Sequence, residues 1–262
     1  MNAGILLIKK EFVQMARDLR MVWLPIVFIL LGCTQPIITY YLPTILEALG
    51  GGQGITIDSS AISQEGGEVL ASTLGSQFDQ LGIIILVVAL MGIIQSDKSN
   101  GMLAFILTRP VSISSYLFGK VVSNYIVVVL SVTIGFFVSY LYVNSLFTMV
   151  PFSHFLIALL LYLLWVLFLV AFTLMISAIF RSQGIIALIS IIFLTGCRII
   201  VNFIPAIDVI NPASLSKHAS EVLATGTFNT SVIIIVFVEF IWILVLFSIT
   251  NYWISLKKID YD

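Results

Sequence analysis

Sixty consecutive residues, Val121 to Phe180, contain no Lys, Arg, Asp or Glu. A soluble domain carries charge at about a quarter of its positions, so an uncharged run of this length belongs in hydrocarbon. It also exceeds one membrane crossing, which takes about 20 mostly apolar residues. Pro151, Ser153 and His154 divide it into a third span over 121–147 and a fourth over 155–180. The same reading places a first span at 21–46, a second at 80–96, a fifth at 184–204 and a sixth at 230–256. Pro25 and Pro36 are expected to bend the first. Only 10% of the 262 residues are charged and the mean hydropathy is +1.15. The fold class is therefore an all-α polytopic membrane protein, with 1–262 forming a single transmembrane domain of six helices.

Basic residues choose the orientation of such a bundle. Lys9, Lys10, Arg17 and Arg20 precede the first span; Lys98, Arg109 and Lys120 lie between the second and third. With Arg181, Lys257 and Lys258, ten of the twelve lysines and arginines fall on one side. The opposite side opens with five acids, Glu47, Asp58, Glu65, Glu68 and Asp79, and no base. Both termini are expected in the cytoplasm of a bacterial or archaeal cell, with the chain in the inner (plasma) membrane. Among the outer segments, Gly50 to Gly54 starts a loop of low backbone restriction. Ala61 to Gln77 is compatible with a short helix on the outer surface. Residues 205–229 are long and only moderately polar, as in a segment that dips into the membrane where protein shields its backbone.

Two segments on the basic side invite a function. Residues 1–20 read as an amphipathic interfacial helix: Ile5, Ile8, Phe12, Met15 and Leu19 follow helical spacing, and the cations face anionic headgroups. It is either an anchor or a lever that passes a partner's motion into the first span. The loop at 97–120 holds Asp97 where a helix start favours an acid. A dense apolar stretch from Met102 to Leu107 follows, too short to cross a bilayer. Arg109-Pro110 ends that helix because the residue before Pro leaves the helical region, and Ser112, Ser114 or Ser115 caps the next. This loop is either an interfacial connector or a helix that docks in the groove of a cytoplasmic partner.

Asp97-x-x-x-Gly101-x-Leu103, then Leu107-x-x-Pro110-Val111-Ser112, then Gly119-Lys120, resembles the first cytoplasmic loop of ABC-2 type permeases. These are the six-span membrane subunits of ATP-binding-cassette transporters, with a type V exporter-like architecture. The family's loop commonly reads Glu-x-x-x-Gly-Thr-Leu-Glu, then Pro-Val-Ser and Gly-Lys. This chain has Asp97 for the first Glu and departs at Met102 and Ala104. Lys10-Glu11 is similar to the family's Lys-Glu pair. The resemblance implies a homo- or heterodimer of permeases, each docking one cytoplasmic ATPase through a coupling helix in this loop. It would place Asp97, Gly101, Leu103, Phe105, Arg109 and Pro110 at that coupling, and Lys10, Glu11 and Phe12 on a connecting helix along the inner face. It further implies outer re-entrant helices before the last span. The translocation route would run between protomers, lined largely by the first, second and fifth spans.

Arg198 and Glu239 are ionisable residues within the fifth and sixth spans. At about 1.5 Å per residue both fall in the outer half at similar depth. An isolated charge there costs about 2.5–3.5 kcal/mol on insertion scales, so they are expected to pair or to face one polar cavity. The pair would serve either as a lock between helices or as a substrate or gating site. No phosphate-binding loop is present, since Ser114 stands where its first Gly belongs and Val121 follows Lys120. ATP and Mg are thus expected on the partner, with no cofactor, metal or catalytic residue on this chain. The leading reading is the permease of an ATP-driven exporter or related machine, itself not an enzyme. The alternatives are a proton-coupled secondary transporter using Glu239, or a non-transporting immunity or sensor protein. Substrate and direction of transport are not legible.

Overall fold

A computed structural model describes residues 3–50, 65–103, 112–201, 203, 205–227 and 231–259. Every regular element among them is helical. In chain order they are α1 (Ala3–Arg17), α2 (Arg20–Gly50), α3 (Gly66–Ser99), α4 (Ile113–Leu146), α5 (Phe152–Ile179), α6 (Gln183–Ile200), α7 (Pro205–Asp208), α8 (Ser214–Thr225) and α9 (Ser231–Ile259). Six of these, α2, α3, α4, α5, α6 and α9, are long and apolar enough to cross a membrane. Helices satisfy their own backbone groups, which is what hydrocarbon demands of any spanning element.

The core is built around α5, the most buried of the six. Trp165, Tyr162 and Phe168 are among its largest enclosed side chains. α8 and α9 pack against it, while α4 runs along α2. The α2–α4 seam is closed by glycine. A Cβ on Gly32 would lie 2.2 Å from the Gly135 carbonyl oxygen, and one on Gly135 would lie 2.4 Å from that of Phe28. Small residues at such seams let two backbones touch where lipid offers no hydrophobic drive for association. α2 keeps Pro25, Pro36 and Pro43 inside one continuous helix.

α3 departs most from the sequence pattern. It begins at Gly66 rather than near residue 80, so the part of 61–77 that is described belongs to a span and not to a surface helix. Its composition hides this: residues Thr73 to Gly82 adopt a π-helix, and Thr73, Leu74, Phe78 and Asp79 are buried. Polar residues are tolerated there because the bundle, not lipid, surrounds them. A second irregularity falls at Met91–Ile94, where the helix breaks before resuming at Gln95. α1 covers α4 and joins α2 through Leu19, which has a left-handed φ of 54° and is exposed, whereas Ile8, Phe12 and Met15 of the expected apolar face are partly or fully buried. Residues 205–227 carry two short helices, of which α8 buries Leu215, Ala219, Val222 and Leu223 against α5 and the start of α3.

Candidate functional site: a buried charge cluster at the basic end

The strongest concentration of chemistry lies where α1, the end of α3 and the start of α4 meet. Lys120 on α4 places its Nζ 2.9 Å from Asp97 Oδ2 and 3.1 Å from both oxygens of Glu11. The side chains of Lys120, Asp97 and Glu11 are only 2%, 5% and 7% exposed. A lysine is almost never enclosed to this degree unless paired, so two carboxylates from two other helices hold it there. Tyr116, one turn earlier on α4, donates its hydroxyl to Asp97 Oδ2 at 2.7 Å. Lys120 Nζ also stands 5.5 Å over the Tyr116 ring, within cation–π range. Lys10 completes the set at 3.5 Å from Asp97 and 3.6 Å from Glu11.

Local sequence explains the meeting. Gly119 faces α1, where a Cβ would lie in van der Waals contact with Leu7 at 3.4 Å. α1 crosses α4 here, and Glu11 reaches Lys120. Ser112 caps α4 by accepting a hydrogen bond from the Ser115 amide at 3.3 Å. Asn100 ends α3, and Gly101 follows with φ 69°, a conformation that favours glycine. Arg20 at the head of α2 donates to Asn124 of α4 at 3.3 Å.

A single hydroxyl organises the nearby break in α3. Ser177 Oγ accepts from the amides of Ile94 and Gln95 at 3.1 and 3.0 Å and donates to the Met91 carbonyl at 3.0 Å. That is one donor and two acceptor sites, the full capacity of a serine hydroxyl. Lys98 Nζ in turn donates to the carbonyls of Ser177, Ala178 and Phe180, capping the end of α5. Those carbonyls have no intrahelical partner and carry the negative end of the helix dipole. The last turns of α3 are thus fastened sideways to α5 as well as to α1 and α4.

Of the residues singled out from sequence, Lys10, Glu11 and Asp97 come together here. Phe12 packs at the edge of the core. Leu103 is buried among core residues. Phe105, Arg109 and Pro110 lie outside the described residues. Lys120, Tyr116 and Ser177 escaped sequence reasoning as site members. Lys120 was read only for its contribution to orientation and to the Gly-Lys pair.

The expected pair of Arg198 with Glu239 is not formed. Arg198 Nε instead donates to Asp79 Oδ2 at 2.7 Å, and Ser216 of α8 donates to the same oxygen. Asp79 is fully enclosed, in the π-helical part of α3. Starting the second span at residue 80 had put this acid in the outer loop, which hid it as a partner. Glu239 is 1% exposed, and neither carboxyl oxygen has a hydrogen-bond partner among the described residues. Cys33 and Cys197 are both free. Among the described residues no cluster of His, Cys, Asp and Glu is arranged to hold a metal.

Comparison with known proteins agrees with this architecture. A sequence model of ABC-2 family transporter proteins matches residues 5–252. The chain is also 34% identical over 226 residues to the uncharacterized transmembrane protein YxlG of Bacillus subtilis (strain 168), covering 86% of this chain and 87% of that protein.

Proposed function

Because the chain belongs to the ABC-2 family of transporter proteins, we propose that it is the permease subunit of an ATP-binding-cassette transporter. A separate cytoplasmic ATPase binds the 97–120 loop, hydrolyses ATP with its own Mg, and drives translocation of a substrate through a dimer of permeases. The observation that carries this reading is the cluster of Lys10, Glu11, Asp97 and Lys120. It ties the segment that enters the 97–120 loop to α1 and to the base of α4 by buried ion pairs. A push on the loop would therefore reach α1, α3 and α4 together, and α5 through Lys98 and Ser177. Removing one member of a buried pair is far costlier than breaking a surface one, so the cluster moves as a unit. The two termini and the basic end of the bundle lie in the cytoplasm on this reading, following the distribution of Lys and Arg. α2, α6 and α9 have the least buried apolar surfaces and supply the area for lipid and for the second permease.

The test is co-purification. The tagged chain, extracted from its membrane, brings down an ATP-binding-cassette ATPase, and Phe105→Asp abolishes that association without lowering the chain's abundance. A proton-coupled reading is favoured by one observation, the enclosed and unpartnered Glu239. It predicts uptake into vesicles driven by a pH gradient without ATP, lost in Glu239→Gln.

A further inference from the structure

A groove of about 510 Å³ opens beside the charge cluster, between α1 and the end of α3. Lys9, Lys10, Val13, Gln14, Arg17 and Asp18 line it from α1 and its end, and Asp97, Asn100 and Met102 from the other side. Lys9, Val13 and Arg17 are spaced four apart and form one exposed row along the helix. Asp97 contributes little negative charge to the opening, because it is enclosed and bound to Lys120 and Tyr116. Asp18 lies at the rim near Arg20, at 3.9 Å. The groove therefore presents two exposed cations, Lys9 and Arg17, with the exposed Asp18 at its rim and Val13 and Met102 as exposed apolar side chains between and opposite them. Lys10 Nζ is enclosed at its base, within ion-pair range of Glu11 and Asp97 and with no hydrogen-bond acceptor among the described residues.

We infer that this groove is a binding site for one anionic phospholipid of the inner leaflet. The phosphate and its charged headgroup lie between Lys9 and Arg17, and the glycerol backbone rests against Val13 and Met102. The position fits the ligand, because α1 leads directly into the spanning helix α2 at Arg20. Basic residues at such a depth attract anionic headgroups, by about fivefold in affinity for each one. Apolar side chains between the cations distinguish a lipid from a soluble anion. The site does not depend on the transport reading.

The full-length chain is reconstituted in bilayers of equal parts phosphatidylcholine and phosphatidylglycerol, and retained lipids are counted by native mass spectrometry. One phosphatidylglycerol is expected to remain bound. The double variant Lys9→Gln/Arg17→Gln, at two exposed positions outside the ion-pair cluster, is expected to lose it with roughly a 25-fold drop in affinity, fivefold for each cation. Arg181→Gln, an exposed change elsewhere at the basic end, is expected to retain it. Equal loss in both variants would overturn the inference in favour of general attraction. Displacement of the lipid by glycerol 3-phosphate would overturn it in favour of a soluble-anion site. Unchanged lipid retention in the double variant, with loss of a co-purifying protein instead, would overturn it in favour of a protein-docking surface.

Discussion

Lys120 and Glu11, 109 positions apart in the chain, meet at 3.1 Å with almost no exposure to solvent. Their contact fixes α1 across α4 and, through Asp97, fixes both to the end of α3. A cation enclosed by two carboxylates and the Tyr116 ring is a structural commitment: each partner is stable there only while the others are present. The mechanical consequence is that three helices share one joint beside the 97–120 loop.

Lys120→Met leaves Glu11 and Asp97 enclosed without their hydrogen-bonded cation. The expected loss is about 3–5 kcal/mol, read as a fall in the unfolding midpoint of the purified protein. Lys10→Met, whose side chain is partly exposed and which sits at 3.5–3.6 Å from the same acids, costs less than about 1 kcal/mol. Equal effects of the two would contradict the geometry.

Ser177→Ala strands the amides of Ile94 and Gln95 and the Met91 carbonyl at the break in α3. Leaving an enclosed backbone group unpaired costs about 1–3 kcal/mol. Hydrogen exchange should accelerate at residues 94 and 95 while the amides of α4 stay protected.

Gly135→Ala drives a methyl group toward the Phe28 carbonyl, where a Cβ would sit 2.4 Å away. Overpacking of this kind costs about 1–3 kcal/mol. Gly184→Ala is the control, since its Cβ would meet only the Ser182 hydroxyl at 4.0 Å. Thermal unfolding of the two variants side by side gives the answer.

Asp79 and Arg198 should couple and Arg198 and Glu239 should not. A double-mutant cycle of Asp79→Asn with Arg198→Gln is expected to yield about 0.5–3 kcal/mol of interaction energy. The cycle of Glu239→Gln with Arg198→Gln should yield none. The reverse outcome would restore the pairing inferred from depth alone.

Much of this was legible in sequence for a simple reason. Spans exposed to lipid must be nearly free of charge, and 121–180 could be divided by composition alone. The upper half of α3 was not legible, because protein surrounds it: Gly66, Thr73 and Asp79 are buried, yet by composition the first two read as a short surface helix and the third as outer loop. Depth counting puts Arg198 near an acid in the outer half but selects Glu239, since a second span taken to start at residue 80 leaves Asp79 outside the bundle. At the basic end, Asp97, Lys10, Glu11 and the Gly119-Lys120 pair stand out by resemblance to a family. The place of Lys120 at the centre of an ion-pair cluster does not, because a lysine at the edge of a span ordinarily reads as an orientation signal. Its burial follows from α1 crossing α4 and the end of α3 meeting both, which is a property of packing between distant segments.

The most direct measurement is ATP hydrolysis by the complex purified through the tagged chain from its own membrane. A permease coupled to an ATP-binding-cassette ATPase brings down a stoichiometric ATPase subunit and supports hydrolysis in lipid vesicles, and both are lost in Phe105→Asp with the permease still present; this is the expected result. A chain that purifies with no ATPase, and that moves a substrate under a pH gradient in a manner abolished by Glu239→Gln, would contradict it.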